Sequence, residues 1–416
     1  MDKINPEIFR DYDIRGIYNL DFDHDFAFKL GNIIAQNSNG QDIVVGRDMR
    51  VSSDILAEKV IEGIRATGKN AISLGYCSSP LFYFTANFLN VSAGVMVTAS
   101  HNDSSYNGFK IVGENGKLIP GKEVKTIFDS SKLSSNGNGQ LTKENMLNEY
   151  IDAILGAIGQ TKDLSEIAKK VYISPSMLMN SHIKLLEKKL GISFSKNKDS
   201  EITVAFDADG DRINFYENGK HILADYILLM LIDKIKPKNV VLDLRFSRGA
   251  IEYLEKQGIK YTKSPVGRRN IYKNMVENNS EIGGEISGHF LFSHINKIEA
   301  PEFVLIKILE EILDKGSMEN ILNEYTGYYK SEEINLPVKS LVFEDLKKVV
   351  EKKYSNADID YMDGITVSCD DWWFNMRPSN TEPLIRIVVE TKRKGLLKEK
   401  AIELKELVDL GEGAKD

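Results

Sequence analysis

Four short segments of this 416-residue chain hold side chains that could do chemistry. The first is Thr98-Ala-Ser-His-Asn-Asp-Ser-Ser-Tyr-Asn-Gly-Phe-Lys110, directly after an apolar run ending at Val97. A serine at the tip of a buried strand can be a nucleophile or carry a covalent group if something activates it. His101 and Lys110 stand close enough in sequence to give electrostatic help or move a proton. The competing interpretation is a polar loop with Ser100 capping a helix. The second segment, Ile202-Thr-Val-Ala-Phe-Asp207-Ala-Asp209-Gly-Asp211-Arg212, runs a strand into three alternating aspartates. Carboxylates this close repel unless a cation neutralises them. All-oxygen ligands suit a hard divalent ion such as Mg²⁺. An EF-hand fails, because the sixth and twelfth places counted from Asp207 are Arg212 and Asn218 rather than Gly and Glu.

The third segment is Gly283-Gly-Glu285-Ile-Ser287-Gly-His289. Glycines would let its backbone approach a polyhydroxyl ligand. Glu285 could accept from sugar hydroxyls, and His289 could donate to phosphate or shuttle a proton. Taken alone, the segment is read more simply as a glycine-rich turn with a solvated histidine. The fourth, Arg377-Pro-Ser-Asn-Thr-Glu-Pro383, sets one guanidinium beside two hydroxyls, an amide and free backbone N–H groups, which suits a phosphate. Its alternative is a Pro-bounded surface turn. Trp372 and Trp373 just before it are expected to pack. Arginines at Arg10, Arg15, Arg47 and Arg50 are either anion sites or salt-bridge partners.

The elements that must position these groups alternate. Strands are expected at Asp42–Val45, Ala71–Leu74, Ala93–Val97, Lys170–Ile173 and Val240–Leu244. Helical patterns lie at Ser53–Thr67, His182–Leu190 and Gly249–Gln257. Buried strands followed by helices argue for βαβ units and a mostly parallel sheet, whose strand ends carry ligands. After about residue 331, strands and helices segregate as in an α+β domain. Ser134–Gln140 could be a loop or a linker, and Lys236–Lys238 breaks a helix. Cuts near 145, 236 and 331 give four domains: 1-145 with the serine loop, 146-236 with the aspartate loop, 237-330 with the Gly-Gly-Glu loop and 331-416 with the Arg377 loop.

Composition narrows the partners. With 42% hydrophobic and 28% charged residues the chain is globular, not disordered. A net charge of −7 argues against nucleic acid and anionic membrane as general partners. Two cysteines exclude a disulfide framework or a structural zinc cluster. No apolar run approaches a membrane span, and the charged start, MDKINPEIFR, is not that of a secretory signal. A cytoplasmic protein is expected.

In order, FRDYDIRG, GRDMR, TASHN with NGFK, FDADGDR, GGEISGH and RPSNTEP resemble the α-D-phosphohexomutase superfamily over nearly the whole chain. The resemblance implies an α/β fold of three consecutive mixed or parallel-sheet domains plus a C-terminal α+β domain around a central cleft. It implies phosphate exchange between O6 and O1 of a hexose through a phosphoserine and Mg²⁺, with a hexose 1,6-bisphosphate as intermediate and activator. The subgroup resembled is phosphomannomutase/phosphoglucomutase, since Asn380 stands where phosphoglucosamine mutases usually carry Gly. By the same resemblance Ser100 is the phosphoserine, and Asp207, Asp209 and Asp211 join it as metal ligands. Lys110 and His289 are candidates for proton transfer, with His101 beside them. Glu285 and Ser287 read sugar hydroxyls. Arg377, Ser379, Asn380 and Thr381 hold the non-reacting phosphate, while Tyr12, Arg15, Arg212 and Arg245 line the cleft. The partner implied is a phosphosugar, with the protein a monomer or homodimer.

Three departures from the family pattern stand out. The second domain is short, with Ser174-Pro-Ser-Met-Leu-Met-Asn180 in place of a Gly-rich turn. Gly267-Arg268 replaces a Gly-His pair, although Arg268 still offers a positive donor. Ile298-Glu-Ala-Pro301 replaces an Asp-Asp. Two rival functions remain open. A haloacid-dehalogenase-type phosphatase would use Asp207 of Asp207-Ala-Asp209-Gly210 as nucleophile, but Asp211-Arg212 follows where Thr or Val is normal. A catalytically impaired phosphosugar-binding homologue would fit the departures, but not the retention of Ser100, Lys110 and the three aspartates.

Overall fold

The computed structural model describes residues 4–413 except 136, 323, 324, 326, 339–342 and 380–382. The chain forms two compact units, residues 1–222 with 288–314, and residues 223–287 with 315–416.

In the first unit the leading sheet is mixed. Its order is Ile14–Ile17, Tyr106–Val112, Ala93–Val97, Asp42–Arg47, Asn70–Tyr76 and Leu141–Lys143, with Leu118–Ile119 beside Tyr106–Val112. The four strands from Ala93–Val97 to Leu141–Lys143 run parallel, as the strand–helix alternation predicts. Tyr106–Val112 runs antiparallel to Ala93–Val97. That strand is hidden in the sequence behind the polar Tyr106-Asn-Gly, and it carries Lys110 back along the strand that delivers Ser100. Helices His24–Gln36 and Ser53–Arg65 pack on the sheet through Phe26, Leu30, Leu56 and Val60. Ser134 exchanges hydrogen bonds with the Asn32 amide, and Gly139 N–H donates to the Arg65 carbonyl. Ser134 and Gly139 are therefore tethered to the two helices rather than free as in a linker.

A second sheet of the same unit has the order Lys220–Ile222, Ile213–Glu217, Ile202–Phe206, Val171–Ile173. Only its last pair is parallel. Residues 207–212 form the hairpin turn between Ile202–Phe206 and Ile213–Glu217, so the three aspartates share one tight loop. Nearby, Glu302 is fully buried and is satisfied by the Tyr150 hydroxyl at 2.7 Å and His182 Nδ1 at 2.6 Å. This pairing ties together the helices Leu147–Ile158, Met179–Leu190 and Pro301–Lys315.

In the second unit Asn239–Asp243, Lys260–Ser264 and Ile282–Gly284 pair in parallel, separated by helices Arg248–Gln257 and Arg268–Glu277. The C-terminal sheet is antiparallel throughout its described strand pairs. Helices Phe343–Lys353 and Lys394–Gly413 pack on it through Leu346, Val350 and Leu404. Trp372 and Trp373 are buried in its strand Trp372–Pro378. Arg377 and Pro378 thus end this strand, and Ser379 N–H donates to the Leu384 carbonyl at 2.9 Å.

Candidate active site

The serine loop leaves the sheet at the end of Ala93–Val97. Ser100 is buried and has φ +50°. A non-glycine residue in left-handed backbone is unfavourable unless its surroundings hold it there, and such residues concentrate at functional sites. No helix follows, so Ser100 does not act as an N-cap. Its N–H donates to Thr98 Oγ1 at 2.9 Å, and its Oγ lies 3.4 Å from His101 Nδ1.

Lys110 is the hub. Its Nζ donates to Asp209 Oδ2 and Asp211 Oδ2, each at 2.6 Å, and to Ser79 Oγ at 3.1 Å. Burial disfavours its charge, but the two carboxylates outweigh burial and hold its pKa well above the ordinary lysine value. Ser79 Oγ in turn donates to Asp209 Oδ2 at 2.7 Å. Ser79 belongs to this site but is invisible in the sequence, because its partner lies 130 positions away.

The aspartate loop is over-charged for the cations around it. Burial, then Asp211 and Asp209, push the Asp207 carboxyl well above the usual range. Burial also works against Asp211, but Lys110 and His289 hold it well below that range. Asp207 Oδ2, Asp209 Oδ1 and Asp211 Oδ1 are buried without a hydrogen-bond partner among the described residues. One ligand oxygen from each aspartate lies within 4.8 Å of the others. Three carboxylates gathered this closely, with Asp209 Oδ1 unpartnered among the described residues and Asp207 forced toward protonation, fit a hard cation. The loop can close this tightly because Gly210 takes φ +70°, where a Cβ would stand 2.5 Å from Met179 Sδ.

Around this core, His289 Nε2 lies 3.3 Å from Asp211 Oδ1. Arg212 reaches His101 Nδ1 at 2.9 Å and Asp207 Oδ2 at 3.5 Å. Withdrawal from water, then Arg212 and Arg15, push His101 down to about 3. The ring is therefore neutral at neutral pH. Its Nδ1 lone pair already accepts from Arg212, so His101 is poorly placed to deprotonate Ser100 and serves better as a neutral orienting group. Arg15 pairs with Asp13 and donates to Asn102 Oδ1 at 2.6 Å. Tyr12 sits half-buried just before that strand. The first unit thus gathers Ser100, His101, Lys110, Asp207, Asp209, Asp211, Arg212 and His289 into one site, with Arg15 beside it.

The second unit holds another cluster. Arg245 is buried and bound by Asp243 and Glu333, with Glu285 Oε1 at 3.6 Å. Burial opposes its charge and the acids raise its pKa regardless. Arg245, expected to line a cleft, has its guanidinium paired with Asp243 and Glu333 and close to Glu285. Arg377 is its opposite. It is buried, its Nη1 lies 3.5 Å from the Pro378 carbonyl, and its Nε has no hydrogen-bond partner among the described residues. Burial and then the positive Arg245 lower its pKa. A buried guanidinium with an unpaired N–H among the described residues suits an anion.

Arg268 opens the helix Arg268–Glu277, with its guanidinium 5.7 Å from the Tyr272 ring centre. Ser287 is half-buried at the end of the Gly-Gly-Glu loop, and Asn380 and Thr381 lie outside the described residues. Gly283 is needed for packing, not for close approach of a ligand. A Cβ there would meet Ile271 and Met275, both at 2.5 Å.

An acid loop beside a strained serine, at strand ends of an α/β protein, could serve cation-assisted phosphoryl transfer. Comparison with known proteins specifies the class. Models of phosphoglucomutase/phosphomannomutase match residues 6–136 as alpha/beta/alpha domain I, 218–327 as alpha/beta/alpha domain III and 333–406 as the C-terminal domain. A phosphomannomutase of Methanocaldococcus jannaschii is 33% identical, covering 96% of this chain and 97% of the relative. A Pyrococcus abyssi relative described as a probable phosphoglucosamine mutase is 28% identical over 92% of this chain and 93% of its own length. The crystal structure of a phosphoglucomutase/phosphomannomutase family protein from Burkholderia thailandensis superposes with a TM-score of 0.84 at 22% identity, over 99% of both chains. The chain belongs to the phosphoglucomutase/phosphomannomutase family of the α-D-phosphohexomutase superfamily.

Proposed function

We propose that this chain is a phosphohexomutase that interconverts hexose 6-phosphate and hexose 1-phosphate, of mannose and/or glucose, through a phosphoserine at Ser100 and a hexose 1,6-bisphosphate. The observation that carries this reading is Ser100, buried at φ +50°, in one unit with the Lys110–Asp209–Asp211 cluster. The phosphatase alternative has no support, since the family matches span the serine loop and the C-terminal domain as well. Asn380, and the phosphomannomutase relative at 33% identity, favour mannose or glucose over glucosamine phosphate.

In this reading phospho-Ser100 gives its phosphoryl group to a sugar hydroxyl. The hydroxyl oxygen bonds to phosphorus, the bond to Ser100 Oγ breaks, and the bisphosphate turns over for the reverse transfer. Asp207, Asp209 and Asp211, with the Ser100 phosphate, would hold Mg²⁺, which when bound neutralises the acids and polarises the transferring group. His289 Nε2 is the group we assign to taking the hydroxyl proton, and Lys110 Nζ, kept protonated by Asp209 and Asp211, to donating toward Ser100 Oγ as it leaves. His101 and Arg212 orient the serine loop. Arg15 and Tyr12 shape its edge. Arg377, Ser379, Asn380 and Thr381 hold the phosphate that is not transferred, with Arg268 as a further donor, and Glu285 and Ser287 read the sugar hydroxyls. Arg245 fixes Glu285.

The domain boundaries proposed are 1-145, 146-236, 237-330 and 331-416. We also place the protein in the cytoplasm as a monomer or homodimer without nucleic-acid or membrane partners. The net charge of −7 supports this, and no helix among the described residues is long and apolar enough to cross a membrane. The test is intact mass before and after phosphatase treatment, combined with turnover of Ser100→Ala. A covalent phosphate on Ser100 and a loss of turnover by several orders of magnitude are expected. A fully active Ser100→Ala would sink the assignment, and a folded parent without turnover on any hexose phosphate would favour a binding protein.

A further inference from the structure

A single guanidinium holds the serine loop. Arg50 lies between the strand Asp42–Arg47 and the helix Ser53–Arg65. Its Nη2 donates to the carbonyls of Ser100 at 2.7 Å and Asn102 at 2.6 Å. Its Nη1 donates to the carbonyls of Asp103 at 2.7 Å and Tyr106 at 3.0 Å. Its Nε donates to Asp48 Oδ2 at 3.2 Å. Asp48 is itself buried, accepting from Arg50 N–H at 3.0 Å and Ser53 Oγ at 2.5 Å. A guanidinium has five N–H donors in a rigid fork, and here each direction meets an acceptor. Arg50 therefore has nothing left for a ligand phosphate, and the anion-site alternative for this arginine does not hold.

Ser100 sits in unfavourable left-handed backbone, and its N–H is held only through the neighbouring Thr98 hydroxyl. Four carbonyls across seven residues converge on one cation, and that convergence is what keeps the loop from relaxing. We propose that Arg50 is a positioning residue for phosphoryl transfer: it holds the Ser100 backbone in the conformation from which the phosphate is delivered. The proposal rests on Ser100 being the phosphate carrier. Displacement of a reacting group by about 1 Å costs on the order of 100-fold in rate, whereas substrate affinity depends on groups elsewhere. Arg50 also lines a cavity of about 430 Å³ whose lining includes the exposed Val51 and Met177, so its removal leaves a site that small cations can enter.

The experiment compares the parent with Arg50→Ala and Arg50→Lys in both reaction directions. For Arg50→Ala, kcat is expected to fall about 100-fold with KM within about threefold. Exchange of the Ser100, Asn102 and Tyr106 amides should accelerate. Guanidinium ion at millimolar concentration should restore turnover to Arg50→Ala, and methylammonium should not, because a point charge cannot reach all the carbonyls. Arg50→Lys should stay within about threefold of the alanine variant for the same reason. If Arg50→Ala does not fold, Arg50→Lys, which keeps the charge, carries the same comparison. A folded variant whose kcat stays within about threefold of the parent, a loss confined to KM, or equal rescue by methylammonium would overturn the proposal. A parent that never takes phosphate on Ser100 removes the carrier reading and the proposal with it. A phosphorylated parent with a fully active Arg50→Ala removes the proposal alone.

Discussion

Arginine side chains of one chemical type do three different jobs in this protein, and their acceptors decide which. Arg50 is saturated by carbonyls and Asp48, and Arg245 by carboxylates. Arg377 is buried with its Nε unpartnered among the described residues. Only the last is poised for a ligand anion. A phosphate that does not react is gripped alike in ground and transition states, so losing the grip affects KM more than kcat. Arg377→Ala should raise KM for both the 1-phosphate and the 6-phosphate roughly 10- to 150-fold, the equivalent of about 1.5–3 kcal/mol for a charge-assisted contact. Arg377→Lys should recover part of it. Steady-state kinetics in both directions would check this, and unchanged KM values would remove Arg377 from the phosphate site. Ser100 and the three aspartates were legible because each lies in a compact segment with its own chemical signature. Ser79, Asp243 and Glu333 were not, because a lone serine or acid carries no signal until its partner is known.

At the scale of elements, the C-terminal domain shows how two helices are pinned over one sheet. Glu403, on Lys394–Gly413, accepts from Lys353 Nζ at 2.8 Å, Tyr354 OH at 2.7 Å and Lys400 Nζ at 2.7 Å. Lys353 and Tyr354 belong to the end of the helix Phe343–Lys353 and the residue after it. Partial burial opposes the Glu403 charge, but Lys353, Lys400 and Tyr354 outweigh it and bring the pKa from the ordinary 4.5 down to about 2. A depressed carboxyl pKa contributes stability that is complete above the unfolded value and is lost as pH falls through the folded one. The contribution of Glu403 is therefore full above about pH 4.5 and vanishes near pH 2. Glu403→Gln should destabilise by about 1 kcal/mol at neutral pH, allowing for solvent screening. Thermal melts of parent and variant from pH 7 to 2 should converge at the acid end, and a gap independent of pH would show that packing, not charge, holds these helices. Most element positions followed from local pattern: Ala93–Val97 lies where expected, and Ser53–Arg65 ends two residues before the predicted Thr67. Tyr106–Val112 and Trp372–Pro378 were missed because polar or proline residues at one end mask strands stabilised by their neighbours.

Across the whole molecule, the chain divides into two units and passes between them three times. In the second unit, Lys330 Nζ lies 2.6 and 2.7 Å from the oxygens of Asp225, both residues almost fully buried. Asp225 Oδ1 also accepts Ser247 N–H at 2.5 Å. Removing one partner of a buried pair leaves an uncompensated charge, at a cost of about 3–5 kcal/mol. The two tryptophans, Trp372 and Trp373, both lie in this unit, so their fluorescence reports on it alone. Asp225→Asn should lower the tryptophan-detected denaturation midpoint by an amount matching that cost. An unchanged midpoint would show that Lys330 finds another acceptor.

The chain's own order of residues determined the α/β alternation, the segregated C-terminal domain and the crowding of three carboxylates at Asp207, Asp209 and Asp211. These follow from local periodicity and from like charges a few residues apart, which lie close in any fold. Tertiary structure alone decided what each cation does. Lys110 became the counter-ion of two aspartates about a hundred positions away, and Arg50 became the clamp of the serine loop about fifty positions away. Hydrogen bonds and ion pairs act over a few ångströms, and which groups come within that reach is set by the sheet register that lays Met96 against Lys110, not by spacing along the chain.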